Sequence, residues 1–339
     1  MMWISPARCS RLSAVLLVLV SLFLLRYRAS AQSLAPFSIP SQAAARASDH
    51  DSCRSNPSAL AIEGQIRRLV NLAQWSDLEK AGAELTSFCP DSDLGYHWLG
   101  VGYLRQGRSF AAIRAFEESL QRRDDAGAHL LLAEAYFKLG QDQFFWEEIE
   151  IAKKMAPEES GIYYLAGLYV FQTEDAYDKA AVWFRQALER NSGHVLARCY
   201  LALCLRALQQ DLEAASLLLE AVGPESRAGA ESVILLQLLV SLELDLGRTS
   251  EAFAHATLAA RLAPGSAKVQ LGLGRAAWHI QDQGIALHAL KTAAKLDPRL
   301  PDPHYLLGRI YAAQGDGRGA AEELARFKEL KERARGTDQ

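Results

Sequence analysis

The chain lacks the excess of positive charge that nucleic-acid binding needs. Its 339 residues include 37 lysines and arginines against 40 acidic residues, a formal net charge of −3. Four of the arginines, Arg8, Arg11, Arg26 and Arg28, lie in a leading segment that contains no acid. The remainder, with about 33 basic residues against 40 acidic ones, is mildly acidic, so we predict no nucleic-acid partner.

The motifs of common catalytic and metal sites are also absent from the sequence. It contains no G-x-S-x-G nucleophile elbow and no H-E-x-x-H zinc motif. His279 and His288 are nine residues apart, too far to act as two metal ligands on one helical face. Gly272 and Gly274 follow no strand and therefore do not form a phosphate loop. We predict no enzyme activity, no catalytic or metal-binding residue, no cofactor and no small-molecule substrate.

The sequence has one long apolar run that could interact with a membrane, from Leu12 to Leu25. Arginines precede it, and an Ala-Ser-Ala sequence follows it before Gln32. This is the three-part pattern of a secretory signal peptide with a small-residue cleavage site. We predict a signal peptide over 1–31, then a linker over 32–57 that is rich in Ser, Ala and Pro.

An uncleaved membrane anchor is the alternative for the leading segment. Fourteen helical residues reach only about 21 Å of a roughly 30 Å hydrocarbon core, which favours cleavage. Arg26 and Arg28 follow the apolar run, and positive charge at that place resists translocation, so the membrane anchor remains an alternative. We expect an exported, periplasmic protein, which contacts a membrane only through this segment if it is not cleaved.

A repeated pattern organises the rest of the chain, and it is clearest from Tyr96 to Phe116. It reads Tyr96-x-x-Leu99-Gly100-x-x-Tyr103, then a turn glycine, then Ala-x-x-x-Phe. Large residues at helical spacing, with a glycine where a neighbouring helix comes close, predict two helices packed as a hairpin.

This pattern resembles the tetratricopeptide repeat, a hairpin of about 34 residues with an aromatic-x2-Leu-Gly-x2-Tyr…Ala-x3-Phe…Pro signature. Its leucine, which we call the leucine position, recurs at steps of 33 to 38 residues as Leu99, Leu132, Leu165, Leu201, Leu239, Leu273 and Leu307. The next residue, the small position, is Gly or Ala in all but one of these units. The resemblance implies an all-α fold, a right-handed α-solenoid of stacked helix-turn-helix hairpins.

The second helices of these units carry an alanine, replaced by Phe145 in one unit, and in six of the units a large residue follows four places later. We call these the alanine position and the large position. The large position is occupied by Phe116, Ile149, Phe184, Leu218, Leu290 and Leu324. We predict a degenerate capping repeat over 58–92, about seven repeats over 93–334 and a tail over 335–339.

Cysteines suggest one covalent link. After cleavage the chain keeps Cys53, Cys89, Cys199 and Cys204. Cys53 and Cys89 flank the first repeat, and an exported chain meets an oxidising compartment, so a disulfide between them is expected, with two unpaired thiols as the alternative. Cys199 and Cys204 are about 7.5 Å apart along one predicted helix, which disfavours a bond and makes them small apolar fillers.

The resemblance also implies where a partner binds, because first helices of such hairpins line a concave groove. Mapped onto this chain, the groove residues are His97, Arg105, Glu134, Lys138, Tyr163, Phe171, Arg206, Gln237, Arg275, Trp278, His279, Tyr305 and Arg309. Arg105 and Lys138 are equivalent in adjacent units, as are Arg275 and Arg309. Basic side chains stacked in this way would form short rows of positive charge, which we call cationic ladders. Such ladders suit the carboxylates of an extended peptide. A solvated face, with Trp278 covering a neighbouring hairpin, is the alternative.

These patterns predict a non-enzymatic scaffold that binds a protein or peptide. Self-association is one alternative, through the end of the last repeat or the aromatic residues 144–146. Another is an accessory subunit of an envelope enzyme complex, or an enzyme with its site at the irregular link over 223–231. The signal type, the Ala/Leu/Arg-rich usage and the absence of an N-glycosylation sequon favour a bacterial source.

Overall fold

The computed structural model describes residues 57–222 and 230–336. The predicted signal peptide, Cys53 and nearly all of the predicted linker lie outside these ranges, as does most of the irregular link over 223–231. Within them every regular element is an α-helix, so the predicted all-α fold class is confirmed. None of the described helices combines the length and the hydropathy needed to cross a bilayer.

The described residues form sixteen helices. In chain order they are α1 (Pro57–Asn71), α2 (Trp75–Phe88), α3 (Asp93–Arg105), α4 (Ser109–Arg122), α5 (Ala126–Leu139), α6 (Asp142–Met155), α7 (Ser160–Thr173), α8 (Tyr177–Arg190), α9 (Val195–Ala207), α10 (Asp211–Ala221), α11 (Ala230–Asp245), α12 (Thr249–Leu262), α13 (Ala267–His279), α14 (Gln283–Leu296), α15 (Asp302–Ala313) and α16 (Gly317–Gly336).

The chain divides into two compact units, residues 1–175 and 176–339. Unit 1 contains α1 to α7 and unit 2 contains α8 to α16. In each unit, helices joined by short turns pack as hairpins. The finer division into a capping repeat and about seven repeats stays a prediction.

Local sequence explains where several helices begin and end. Ser92 and Asp125 accept hydrogen bonds from the first backbone N–H groups of α3 and α5, which satisfies donors that a helix leaves open. Gly140 ends α5 in the left-handed conformation that glycine adopts without a Cβ penalty. Pro264 and Pro298 follow the ends of α12 and α14 by two residues, since proline cannot continue a helix.

The core of both units follows the repeat positions. Phe116, Ile149, Phe184, Leu218 and Leu290, all at the large position, are fully buried. The small position faces them: a Cβ added to Gly100 would lie 2.6 Å from Phe116 Cε1, and one added to Gly274 would lie 2.6 Å from Leu290 Cγ. The expected close approach of helices at this glycine is therefore present.

Helices α2 and α3 of unit 1 meet through glycines outside the repeat signature. A Cβ on Gly82 would lie 2.6 Å from the backbone nitrogen of Leu99, and one on Gly95 would lie 2.6 Å from that of Thr86. A Cβ on Gly102 would lie 3.0 Å from Glu79 Cα. We call Gly82, Gly95 and Gly102 the glycine seam, because they allow backbone-to-backbone contact between the first two hairpins.

The aromatic residues 144–146 mainly fill the interior of unit 1. Phe145, which replaces alanine at the alanine position, is fully buried and stacks on Tyr169 with ring centroids 4.3 Å apart. Trp146 is partly buried and meets the same tyrosine edge-on at 5.2 Å. Phe144 is exposed. If these residues mediated self-association, Phe144 would therefore provide most of the exposed contact surface.

Candidate functional site

In unit 1 the predicted cationic ladder encloses a carboxylate. Arg105 Nη1 lies 2.6 Å from Glu134 Oε1, and Lys138 Nζ lies 3.2 Å from the same oxygen. Glu134 is only 8% exposed. Burial favours the neutral acid, but the two cations outweigh it and hold the pKa of Glu134 below its usual value. Arg105 and Lys138 are thus engaged by the protein itself, which the ladder hypothesis did not anticipate.

Two predicted groove aromatics of unit 1 lie in the interior. Tyr163 is 2% exposed, and its hydroxyl donates a hydrogen bond of 2.8 Å to the carbonyl of Pro157. Phe171 is also buried. Both belong to α7, which has buried residues on all its faces. In the described structure these side chains therefore provide no exposed binding surface.

His97, another predicted groove residue, is partly buried against aromatic rings. Its ring meets Trp98 edge-on at 5.2 Å and Phe116 at 6.1 Å. Its Nε2 atom is buried and has no hydrogen-bond partner within the described ranges. Burial lowers the pKa of His97 to about 4; nearby Asp125 opposes the shift and Arg123 reinforces it. The imidazole is therefore neutral at physiological pH.

This shift predicts a pH dependence of stability. Between about pH 6.5 and pH 4 the unfolded chain takes up a proton at His97 that the folded chain does not, so stability falls as the pH falls. We expect wild type to lose about 2 kcal/mol more than His97→Leu over this range, after a discount for partial exposure. Urea unfolding at pH 7, 5.5 and 4 measures the difference.

His279→Leu is the matched control, because His279 is an exposed histidine. Parallel pH curves for wild type and His97→Leu would show that the imidazole of His97 protonates as readily in the folded chain as in the unfolded one.

In unit 2 the predicted cations differ in their surroundings. Arg206 Nη2 lies 2.5 Å from Asp245 Oδ2 and is engaged. Arg275 and Arg309, the equivalent pair on α13 and α15, form no ion pair or hydrogen bond within the described ranges. Arg309 is exposed, and its guanidinium carbon lies 6.0 Å from the ring centroid of Tyr305. Unit 2 therefore keeps two cations of equivalent position available.

The other predicted residues of unit 2 differ in their exposure and contacts. Tyr305 is exposed on one face and packs on Phe327 at 5.3 Å. Trp278 is partly buried against the core around Leu290 and Leu307, as the alternative interpretation expects. His279 is exposed and Gln237 is partly buried.

Histidine–carboxylate pairs are the feature that sequence reasoning missed. His129 lies on α5 and bonds Glu148 on α6 and Asp124 at 2.8 Å; His304 bonds Glu323 at 2.6 Å. Both histidines precede their leucine position by three residues, and each glutamate follows its histidine by 19. This repeated spacing is the signal that could have revealed them.

These pairs link the two helices of a hairpin. Burial lowers the pKa of His129, but hydrogen bonds and charge from Glu148 and Asp124 outweigh it, so the net shift is upward. In the described part of the chain no three His, Cys, Asp or Glu side chains are arranged to hold a metal ion. The pairs therefore stabilise the packing of the two helices in their hairpins.

The cysteines divide into two kinds. Cys199 and Cys204 are buried free thiols, and burial raises the pKa of each to about 12, which makes them unreactive fillers. Cys89 is buried and disulfide-bonded. Its predicted partner, Cys53, lies outside the described residues, and that pairing stays a prediction.

Comparison with known families identifies the repeat. Residues 99–143 and 271–334 match the family model of the tetratricopeptide repeat. These two segments of the chain therefore match the tetratricopeptide repeat. No curated protein matches the chain in sequence.

Several solved structures superimpose on the chain. Yeast Tom70 superimposes with a TM-score of 0.55 at 15% identity, covering 86% of this chain and 67% of Tom70. The APC/C hetero-tetramer Cut9–Hcn1 gives 0.52 at 16% identity, covering 81% of this chain and 53% of the other. A tetratricopeptide repeat protein from Parabacteroides merdae gives 0.49 at 18% identity, with 74% and 97% covered. At these identities, the likeness to Tom70 and to Cut9–Hcn1 concerns the fold alone.

Proposed function

We propose that this chain is an exported, periplasmic scaffold without catalytic activity that binds a protein or peptide through the first helices of its hairpins. Tetratricopeptide repeats support this, since stacked repeats create extended binding surfaces rather than enclosed reaction sites. The observation that carries it is that Arg275 and Arg309 form no ion pair with any carboxylate in the described part of unit 2. The leading segment over 1–31 supports export.

An acidic, extended segment is the ligand that this surface suits. A guanidinium binds a carboxylate through two parallel hydrogen bonds, and Arg275 and Arg309 have no internal carboxylate to satisfy them in the described structure. Tyr305 beside Arg309 adds an aromatic surface of the kind enriched in binding hot spots. The equivalent surface of unit 1 is less suited, because Glu134 already neutralises its cations.

The test uses a dye-labelled peptide of Glu-Gly-Ser triplets and its Gln-Gly-Ser counterpart, with the full chain. Charge reversal of the pair, Arg275→Glu with Arg309→Glu, should weaken binding of the acidic peptide about tenfold or more. Arg67→Glu with Arg326→Glu changes the net charge equally at exposed arginines elsewhere and should leave affinity near wild type. Fluorescence anisotropy measures all three.

Equal affinity in the three proteins, or equal binding of the glutamine peptide, contradicts a cationic groove in unit 2. Export is checked separately in a bacterial host that expresses the full chain. Amino-terminal sequencing of the periplasmic fraction should begin at Gln32; a chain that remains in the cytoplasm contradicts export.

A further inference from the structure

An open cavity of about 430 Å³ lies in unit 1 between α4, α5 and α6. None of its lining residues belongs to the predicted groove. They are Glu117, Leu120, Gln121, Leu132, Tyr136 and Glu148. We call this space the α4–α6 cavity. It combines the second helix of one hairpin with both helices of the next.

The cavity has an apolar floor and an aromatic wall. Leu132 is 2% exposed and Tyr136 is 9% exposed. The Tyr136 ring stacks on Phe144 with centroids 5.2 Å apart and an interplanar angle of 27°. Phe144 is 47% exposed, so the wall continues to the protein surface. Such a surface accepts the flat side of a planar or cationic group.

The polar groups of the cavity are acidic and incompletely paired. Within the described ranges, the exposed carboxylate of Glu117 forms no ion pair or hydrogen bond. Glu148 bonds His129, which Asp124 also binds. Burial together with the charges of Glu117, Glu148 and Glu147 raises the pKa of Tyr136. A cationic donor would satisfy these groups.

We propose that the α4–α6 cavity binds the guanidinium of an arginine side chain presented by a protein partner. Its planar face would lie against the ring of Tyr136, and its in-plane N–H groups would reach the carboxylate of Glu117. Leu120 and Leu132 suit the methylene stem, because long basic side chains bury their stems and keep the charged head at polar groups.

Arginine fits this chemistry better than lysine or a neutral residue. Guanidinium is planar, less strongly hydrated than ammonium, and stacks on aromatic rings while it donates to carboxylates. Lysine carries a compact, strongly hydrated charge that gains less from a stacked wall. A neutral side chain leaves the Glu117 carboxylate without a counter-charge. The site is independent of Arg275 and Arg309.

The experiment titrates the full chain with dye-labelled acetyl-Gly-Arg-Gly-Arg-Gly-amide. The same peptide with citrulline, which keeps the shape of arginine without its charge, and the same peptide with lysine are the comparisons. Wild type should prefer the arginine peptide to the citrulline one by about tenfold, the value of a hydrogen bond to a charged group. It should also bind the lysine peptide more weakly.

Two variants locate the effect. Glu117→Gln should weaken the arginine peptide about tenfold, since it removes the exposed carboxylate and no internal contact. Glu150→Gln is its control, because Glu150 is exposed, follows the large position of the next hairpin as Glu117 does in its own, and does not line the α4–α6 cavity. Its ion pair with Lys153, at 3.2 Å, lies on the surface, where such pairs contribute little to stability. Tyr136→Leu should weaken binding as well, provided that circular dichroism shows the wild-type helical signal.

The proposal is overturned if wild type binds the arginine and citrulline peptides equally or not at all. It is also overturned if the lysine peptide binds as tightly, or if Glu117→Gln and Glu150→Gln reduce affinity to the same extent, which would indicate bulk attraction. Charge reversal at Arg275 and Arg309 should leave this binding intact, so a failure here is distinct from a failure of the peptide-binding groove.

Discussion

Replacing Gly82 with alanine should cost about 3 kcal/mol of the free energy of unfolding, at the upper end of the range for overpacking. The added Cβ would lie 2.6 Å from the backbone nitrogen and 2.9 Å from the Cα of Leu99. Backbone atoms cannot rotate away as a side chain can, so α2 and α3 must separate. The loss would exceed the gain of up to about 1 kcal/mol that alanine normally brings to a helix interior.

Gly64→Ala is the matched control for this prediction. Gly64 also lies inside a helix, α1, but no atom lies within 4 Å of an added Cβ. We expect this substitution to stabilise the protein by about 0.5 to 1 kcal/mol through helix propensity alone.

Urea unfolding of the full chain gives the two changes in stability. Hydrogen exchange shows whether Gly82→Ala loosens α1 to α3 first, as a repeat array allows. If the two alanine variants are equally stable, the contact at the glycine seam is not tight.

The glycines show what the sequence could and could not predict about the fold. Gly100 belongs to a periodic pattern, and periodicity within a hairpin is a local property that the sequence displays directly. Gly82 lies outside the pattern, because it serves a contact between hairpins whose partner, Leu99, is identified only by the tertiary packing. Sequence reasoning therefore predicted the hairpins better than the contacts between them.

The same distinction explains the candidate site. Equivalence of position placed Arg105 with Lys138 and Arg275 with Arg309, but it did not say which cations are already paired. Arg105 meets Glu134 across 29 residues of sequence, from one hairpin to the next. The sequence does contain the reason for this difference between the units. Two residues after the leucine position, α5 has Glu134, whereas α13 and α15 have arginine.

The buried aromatics of α7 had a different signal. The residues from Ser160 to Thr173 are apolar around the whole helix, without the polar stripe that a surface helix shows. A helix that is apolar on all sides is buried, so the position of Tyr163 in the repeat was a weaker guide than the composition of its helix.

Replacing His255 with leucine should cost about 3 kcal/mol, because it leaves a buried carboxylate without a partner. Glu243 is only 1% exposed, and its two oxygens lie 3.0 and 2.9 Å from His255 Nδ1. The hydrogen bond that the His255 imidazole donates to the Glu243 carboxylate is the main reason that the pKa of His255 is raised, since it outweighs burial. His288→Leu, which removes an exposed histidine from α14, should cost little.

The pH dependence separates loss of the ion pair from loss of packing. A raised folded-state pKa means that the pair contributes fully below about pH 6.5, and that this contribution disappears as the pH rises through the raised value. The stability gap between wild type and His255→Leu should therefore narrow from pH 6 to pH 9 in thermal unfolding. Adding Glu243→Leu should recover much of the loss, because the charge left unpaired is removed. A gap that stays constant with pH and persists in the double variant would assign the cost to packing around the imidazole instead.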